Sequence, residues 1–238
     1  MKEETKKSLQ AWQTNAKFWD EAMGDRSNEF HREVVRPYVT QLLEPKKGDF
    51  ILDVACGNGN YAAYLACKGV RVVAFDYASE LLTLAKKRQH AYLDQIELVQ
   101  ADATDLDSLL TLKRDRPYHK AVSNMAIMDI SEIEPLFQAL YQLLDDEGIF
   151  VFATQHPCFV TLTDRYMTAH QYQGEAIAGQ PVLQTYYHRS LQDIFQTIFK
   201  YGFVVDGFRE SCFRDPEHPE IIVVRARKRG EGNGTHHY

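Results

Sequence analysis

Between residues 48 and 154 the chain alternates short, solidly apolar runs with longer amphipathic ones. The apolar runs fall at 50–54, 70–75, 96–101, 121–124 and 149–153, each compact rather than strictly alternating. Strands read this way when helices cover both faces of a parallel sheet. The amphipathic runs at 61–67, 79–90, 105–110 and 131–144 predict helices between them. Ser79 and Ser131 suit N-caps, and Gly69 and Gly148 lie where the chain leaves a helix. The pattern predicts an α/β class fold, a doubly wound, Rossmann-like and mostly parallel sheet. Two further runs, 203–209 and 221–226, flank an Asp215-Pro216-Glu217-His218-Pro219 turn. They are expected to add an antiparallel C-terminal hairpin at the sheet edge, for seven strands in all.

The flanks of this core differ from it. Two helical stretches at 8–22 and 28–43 form an expected N-terminal helical lid over 1–47, with Trp12, Phe18 and Trp19 on the first helix. The core domain is expected over 48–228. Within it, 155–190 is rich in Tyr, His and Gln and poor in periodicity, so it reads as a substrate-region insertion, since loops of this length are functional or disordered. A helix follows at 190–200. The Gly-rich stretch 229–238 reads as a disordered tail, which speaks against a metal site at His236 and His237.

Composition narrows the partners. With 45% apolar and 25% charged residues the chain is ordinary soluble protein, and a formal net charge of −6 argues against a nucleic-acid partner. The basic clusters at 86–88 and 225–229 read as solvated faces. Neither a membrane-length apolar run nor the apolar core of a signal peptide is seen, so a cytoplasmic protein without a membrane partner is expected. Four scattered cysteines without a C-x-x-C pair predict reduced thiols and no zinc knuckle. Either a monomer or a homodimer fits.

The chemistry lies at the expected carboxyl ends of the strands, where open α/β sheets bind ligands. Residues 51–60 read ILDVACGNGN, in which Asp53 closes a strand and Gly57 and Gly59 let the chain turn sharply beneath a ligand. The second strand ends in Asp76-Tyr77, the third in Asp102-Ala103, and the fourth in Ser123-Asn124-Met125. An acid after the second strand suits ribose hydroxyls, and one after the third suits an adenine amino group. Asp53 favours an ammonium rather than a pyrophosphate. Gly57-x-Gly59-x-x-Ala62 also fits a dinucleotide fingerprint, yet two phosphates would be poorly placed beside Asp53 and Asp102. Plainer roles stand beside these: Asp53 as a loop cap, Asp102 or Asp105 as a helix cap, and Cys56 as a buried filler.

Taken in order, LDVACGNGNYAAYLA, VVAFDYASELLTLA, QADATDL and VSNMAIMD resemble the four cofactor motifs of the class I S-adenosylmethionine-dependent methyltransferases. The later HPCF, YYHRSL and YGFVVDGFRE segments are similar to a group of small bacterial methyltransferases acting on small molecules. The resemblance implies S-adenosylmethionine as cofactor and S-adenosylhomocysteine as its product. Its site would comprise Trp19, Asp53, Ala55, Cys56, Gly57, Asn58, Gly59, Asp76, Tyr77, Asp102, Ala103, Asn124 and Met125. Ala55 stands where the family often has glycine. The implied reaction moves a methyl group to an O, N or C atom of a small-molecule acceptor. Methyl transfer from a sulfonium needs mainly orientation, so no obligatory catalytic motif is expected.

His156, directly after the fifth strand, is expected to overhang the methyl group as base or orienter. His31, His156, Tyr186, Tyr187, His188 and Arg189 are the expected acceptor residues. An alternative places Tyr186 and Tyr187 on an edge strand, with His188 and Arg189 bracing the start of the next helix. Rival functions are an NAD(P)-dependent oxidoreductase, an RNA methyltransferase using Cys158, and a non-catalytic cofactor-binding protein.

Overall fold

The computed structural model describes residues 2–160 and 162–230. The stretch 231–238, including His236 and His237, lies outside the described residues. Strands β1 (Phe50–Val54), β2 (Arg71–Asp76), β3 (Ile96–Gln100), β4 (Tyr118–Asn124) and β5 (Leu144–Gln155) are parallel neighbours. The later strands β8 (Phe203–Ser211) and β9 (Ile221–Lys228) add antiparallel, with β9 next to β5 and β8 at the edge. The seven strands run in the order β3-β2-β1-β4-β5-β9-β8. The order reverses between β1 and β4, which opens a crevice above their carboxyl ends.

Every residue of β1 is buried, because both faces are covered. Leu52 and Val54 point into a layer with α5 (Leu106–Leu110), α6 (Glu134–Leu143) and α7 (Leu191–Lys200), filled by Phe137, Phe150, Phe152 and Phe203. Ile51 points the other way, against Val39 and Leu43 of α2 (Arg36–Leu43) and Leu65 of α3 (Asn60–Ala66). α4 (Ser79–Arg88) completes the cover and carries α1 (Glu3–Met23) on its outer side.

Five local expectations differ from what is seen, the simplest being that Gly148 lies within β5 and not at a helix end, since α6 stops at Leu143. The helix expected from Ser131 starts at Glu134, and a 3₁₀ turn at Ile127–Asp129 occupies the approach. The Ser131 carbonyl is held by the Arg189 side chain at 2.8 Å, and Pro135 suits the first helical turn instead. Ser79 is the first helical residue rather than the cap, which falls on Ala78. The second helical stretch divides into a π-helical turn, His31–Val35, followed by α2, and α2 packs on the sheet rather than over the crevice. Finally, the insertion is not structureless: β6 (His170–Gly174) and β7 (Gln184–His188) form a separate two-stranded antiparallel sheet. Its polar residues hide the strand pattern, while Tyr172 and Tyr186 face each other across it.

This small sheet and α1 are joined. The buried Asn15 side chain donates to the Val182 carbonyl at 2.8 Å and accepts from the Val182 amide at 3.1 Å. Together they roof the crevice. Among the described residues no helix is long and apolar enough to cross a membrane.

Candidate cofactor and acceptor site

A cavity of about 600 Å³ lies under that roof, above the carboxyl ends of β1 to β4. The β1–α3 turn forms its floor. Ala55, Gly57 and Gly59 all have positive φ, at 53°, 57° and 73°. A Cβ on Gly57 would come within 2.9 Å of Trp19 Cη2, so only glycine lets α1 close on the loop. Ala55 bears the same left-handed backbone with a side chain, a strain of about 1–2 kcal/mol stored at the site. Gly59 turns the chain into α3 but does not line the cavity; Ala55, Cys56, Gly57 and Asn58 do.

Three acids converge there as the sequence suggests. Asp76 accepts from the Gly57 and Ala78 amides, each at 2.9 Å, and burial lifts its carboxyl to about 6 against those bonds. Asp53 is pushed up to about 8, first by burial and then by the neighbouring charge of Asp76, with the Ala62 amide opposing. Its Oδ2 is buried without a hydrogen-bond partner. Asp102 Oδ1 accepts from the Thr104 amide and hydroxyl at 2.9 and 2.7 Å, and Asp105, not Asp102, caps α5.

The remaining expected cofactor residues also line the cavity: Trp19, Tyr77, Ala103, Asn124 and Met125. Tyr77 is held by a 2.9 Å bond between its hydroxyl and Ser8 of α1. Both polar atoms of the Asn124 side chain are buried and unpartnered. Burial also drives the Cys56 thiol well above its ordinary value, which leaves it an inert filler.

The expected acceptor residues separate. His31, Tyr186 and Tyr187 line the cavity; His156, His188 and Arg189 do not. The His156 ring turns toward the outer strand β8. Its Nδ1 accepts from the Cys158 amide at 3.2 Å, so its Nε2–H donates to Glu210 at 2.9 Å. Both nitrogens are thereby used, and the ring lies tilted against Phe159 instead of overhanging the crevice. His188 Nε2 bonds the Tyr166 carbonyl at 2.8 Å. Arg189 donates to the carbonyls of Ile127, Tyr187, Ile130 and Ser131, bracing the loop after β4. Tyr186 and Tyr187 do lie on a strand, but that strand belongs to the roof. His31 donates from Nδ1 to Asn28 Oδ1 at 2.9 Å, so Nε2 keeps its lone pair. Burial and the charge of Arg36 lower this imidazole to about 4, so it is neutral at pH 7.

Two residues escaped the sequence reading. Trp12 and Asp129 line the cavity, and the Trp12 indole favours the ionised form of Asp129 against burial. Asp129 ends the VSNMAIMD segment, which was the available signal; the 3₁₀ turn brings it back over the crevice.

The roof is latched to the floor through Asp20 of α1. Arg88 grips its carboxylate from Nε at 2.8 Å and Nη2 at 2.6 Å, and Asn58 of the loop donates to it at 2.9 Å. Arg88 also pairs with Asp25. Arg88→Ala leaves Asp20 buried without its cation, at a cost of about 3 kcal/mol. Thermal denaturation is expected to show Tm lowered by roughly 6–12 °C.

Residues 51–148 match a family described as "Methyltransferase domain". A demethylmenaquinone methyltransferase of Clavibacter sepedonicus is 42% identical over 71 residues, covering 30% of this chain and 29% of its own length. A carboxy-S-adenosyl-L-methionine synthase of Nitratiruptor sp. is 25% identical over 85% of this chain and 87% of its own. A solved S-adenosylmethionine-dependent methyltransferase of Mesorhizobium loti shares the fold at a TM-score of 0.62 and 21% identity, covering 81% of this chain and 96% of its own. The chain spans between 29% and 52% of the length of the first curated relatives it matches. Fold and domain match agree: residues 51–148 are similar to a methyltransferase domain, and the chain shares the fold of the solved S-adenosylmethionine-dependent class.

The cofactor of that class is S-adenosylmethionine, and the residues present fit it. The partnerless Asp53 oxygen and Asn124 amide meet the polar demands of an amino-acid end. Asp76 and Asp102 offer carboxylates for ribose and adenine, and the cavity volume of about 600 Å³ accommodates a ligand of that size.

Proposed function

We propose that this chain transfers the methyl group of S-adenosylmethionine to a small-molecule acceptor. The observation that carries this reading is the buried, unpartnered Asp53 Oδ2 beside Asp76, at the floor of a cavity with no phosphate-binding cation on its glycine loop. A dinucleotide would set two negative phosphates against Asp76 and keep Asp53 protonated, whereas an ammonium draws the Asp53 proton off. When bound, the cofactor supplies an activated methyl group on a sulfonium. The chain would hold it through Asp53, Asn124 and the Ala55–Gly57 backbone at one end, and through Asp76, Tyr77, Asp102 and Ala103 at the other. Trp19 closes over the loop.

The acceptor lies between α1, the π-helical turn and the β6–β7 roof, all of which exclude water. His31 serves there as the hydrogen-bond acceptor that orients the nucleophile, through its free Nε2. His156, with both nitrogens engaged, braces β5 against β8 instead. The similarity of residues in this domain to a demethylmenaquinone methyltransferase of Clavibacter sepedonicus supports a small-molecule acceptor. One observation favours a second reading, formation of a carboxylated S-adenosylmethionine: the Nitratiruptor sp. synthase aligns along 85% of this chain.

Calorimetry with S-adenosylhomocysteine and with NAD(P) tests the cofactor. Binding of the first and none of the second is expected; the reverse result sinks the reading. Mass spectrometry then separates a methylated acceptor from a carboxylated S-adenosylmethionine.

A further inference from the structure

Resting on that reading of the cavity, we propose that Asp129, framed by Trp12, Tyr186 and Tyr187, binds the methyl acceptor as a small ammonium ion and takes one of its protons, which frees the nitrogen lone pair to bond the methyl carbon while the carbon–sulfur bond breaks and its electron pair stays on sulfur.

The donor leaves this carboxylate without an assignment. Asp53 answers its ammonium, Asp76 its ribose and Asp102 its adenine amine. Only the sulfonium remains, and it has no hydrogen to donate. A carboxylate stabilising a charge that disappears in the transition state would also slow the transfer. Asp129 therefore faces something other than the donor.

Its surroundings specify what. The Trp12 indole lies beside the carboxyl and favours its ionised form, and Oδ1 is buried without a partner. Tyr187, only 9% exposed, lines the same cavity with its hydroxyl also unpartnered. Among the described residues no cation pairs with Asp129. The Arg189 guanidinium is spent on the carbonyls of Ile127, Ile130 and Ser131, which pins the backbone on both sides of Asp129 without neutralising it. Burial accordingly drives the Asp129 carboxyl well above the usual range.

Charge across the whole cavity agrees. Among the described residues seven acids line it against a single arginine, Arg214, whose guanidinium lies over Phe213. That balance repels a carboxylate or phosphate acceptor and draws in a cation. The faces of Trp12, Tyr186 and Tyr187 add cation–π attraction, the usual means of recognising ammonium groups in an aromatic enclosure. An ammonium N–H would satisfy Oδ1, and the Tyr187 hydroxyl would meet a second polar atom of the same ligand.

The test uses the full chain with methyl-deuterated S-adenosylmethionine and a small-molecule extract, the products being separated by cation exchange and identified by mass. S-adenosylhomocysteine affinity is measured in parallel for the wild type and Asp129→Asn. The expected result is labelled products that are amines, with at least tenfold less from Asp129→Asn, whose S-adenosylhomocysteine affinity stays within twofold. Neutral or anionic labelled products, an undiminished yield from Asp129→Asn, or a tenfold loss of its S-adenosylhomocysteine affinity would each overturn the assignment. No labelled product from protein that binds S-adenosylhomocysteine overturns it too. Failure of the wild type to bind S-adenosylhomocysteine overturns the cofactor reading instead. Should Asp129→Asn not fold, Tyr187→Phe enters the same comparison and is expected to lower the amine yield without loss of S-adenosylhomocysteine affinity.

Discussion

Asp76→Ala is expected to lower S-adenosylhomocysteine affinity by about a hundredfold or more while moving thermal stability little. The two oxygens of Asp76 already accept from Gly57 and Ala78, but each keeps a further lone pair toward the cavity. Two ribose hydroxyls bonding a carboxylate contribute about 1.5–3 kcal/mol each, so both together account for a hundredfold loss or more. The Gly57 bond adds to this. It ties the end of β2 to the turn that carries the methionine end, so losing it loosens the floor as well as the ribose contact. Stability is subject to opposing effects. The variant orphans two amides, costing about 1–3 kcal/mol each, but it also removes a carboxyl whose burial lifts it to about 6. Isothermal calorimetry and thermal denaturation check the two halves separately. Unchanged affinity in the variant refutes the ribose assignment; affinity and fold lost together make Asp76 a structural residue.

The legibility of this fold follows the physics of burial. β1 is read at its true bounds because every residue of it is buried and its ends are set by charge and glycine. The three acids and the glycine turn are legible for the same reason: strand ends in an open α/β sheet are ligand positions whatever the ligand. Side-chain direction is not legible in that way. His156 follows β5 directly, as expected, yet its ring swings to Glu210 because the Cys158 amide fixes its other nitrogen. Arg189 looks like a substrate residue but is consumed by three carbonyls of the loop after β4 and by that of Tyr187 on β7. That same loop hides Asp129, since a 3₁₀ turn has no apolar period to announce it. The roof sheet escapes because β6, HQYQG, alternates among polar residues, and its partner is ten residues away. In each case long-range hydrogen bonding decides the outcome, and a local pattern does not record it.

Asp53 links the site to pH most directly. Its carboxyl lies at about 8 in the free protein against an ordinary 3.8, so at pH 7 it is largely protonated. An ammonium placed against it favours the ionised form. Binding of S-adenosylhomocysteine at pH 7 is therefore expected to release close to one proton, seen by calorimetry in buffers of different ionisation enthalpy. Asp53→Asn is expected to abolish the release. The stability effect has a definite sign. An acid whose folded value is raised gives its full stabilisation below the unfolded value, and the fold loses it as pH rises toward about 8. His31 acts oppositely: lowered from 6.5 to about 4, it costs stability as pH falls between those values and contributes nothing above 6.5. Asp76, at about 6, adds to the Asp53 effect only up to that pH. Measured in an Asp129→Asn background, which removes the other carboxyl that burial raises, the interval from pH 6.5 to 8 isolates Asp53. Free protein of that background is expected to lose about 2 kcal/mol across it, at about 1.4 kcal/mol for each pH unit. With Asp53→Asn added it is expected to stay flat there and to exceed its parent in stability at pH 8. Chemical denaturation at a series of pH values decides it, and a parent curve flat over that interval would mean that Asp53 is already ionised and paired before any ligand arrives.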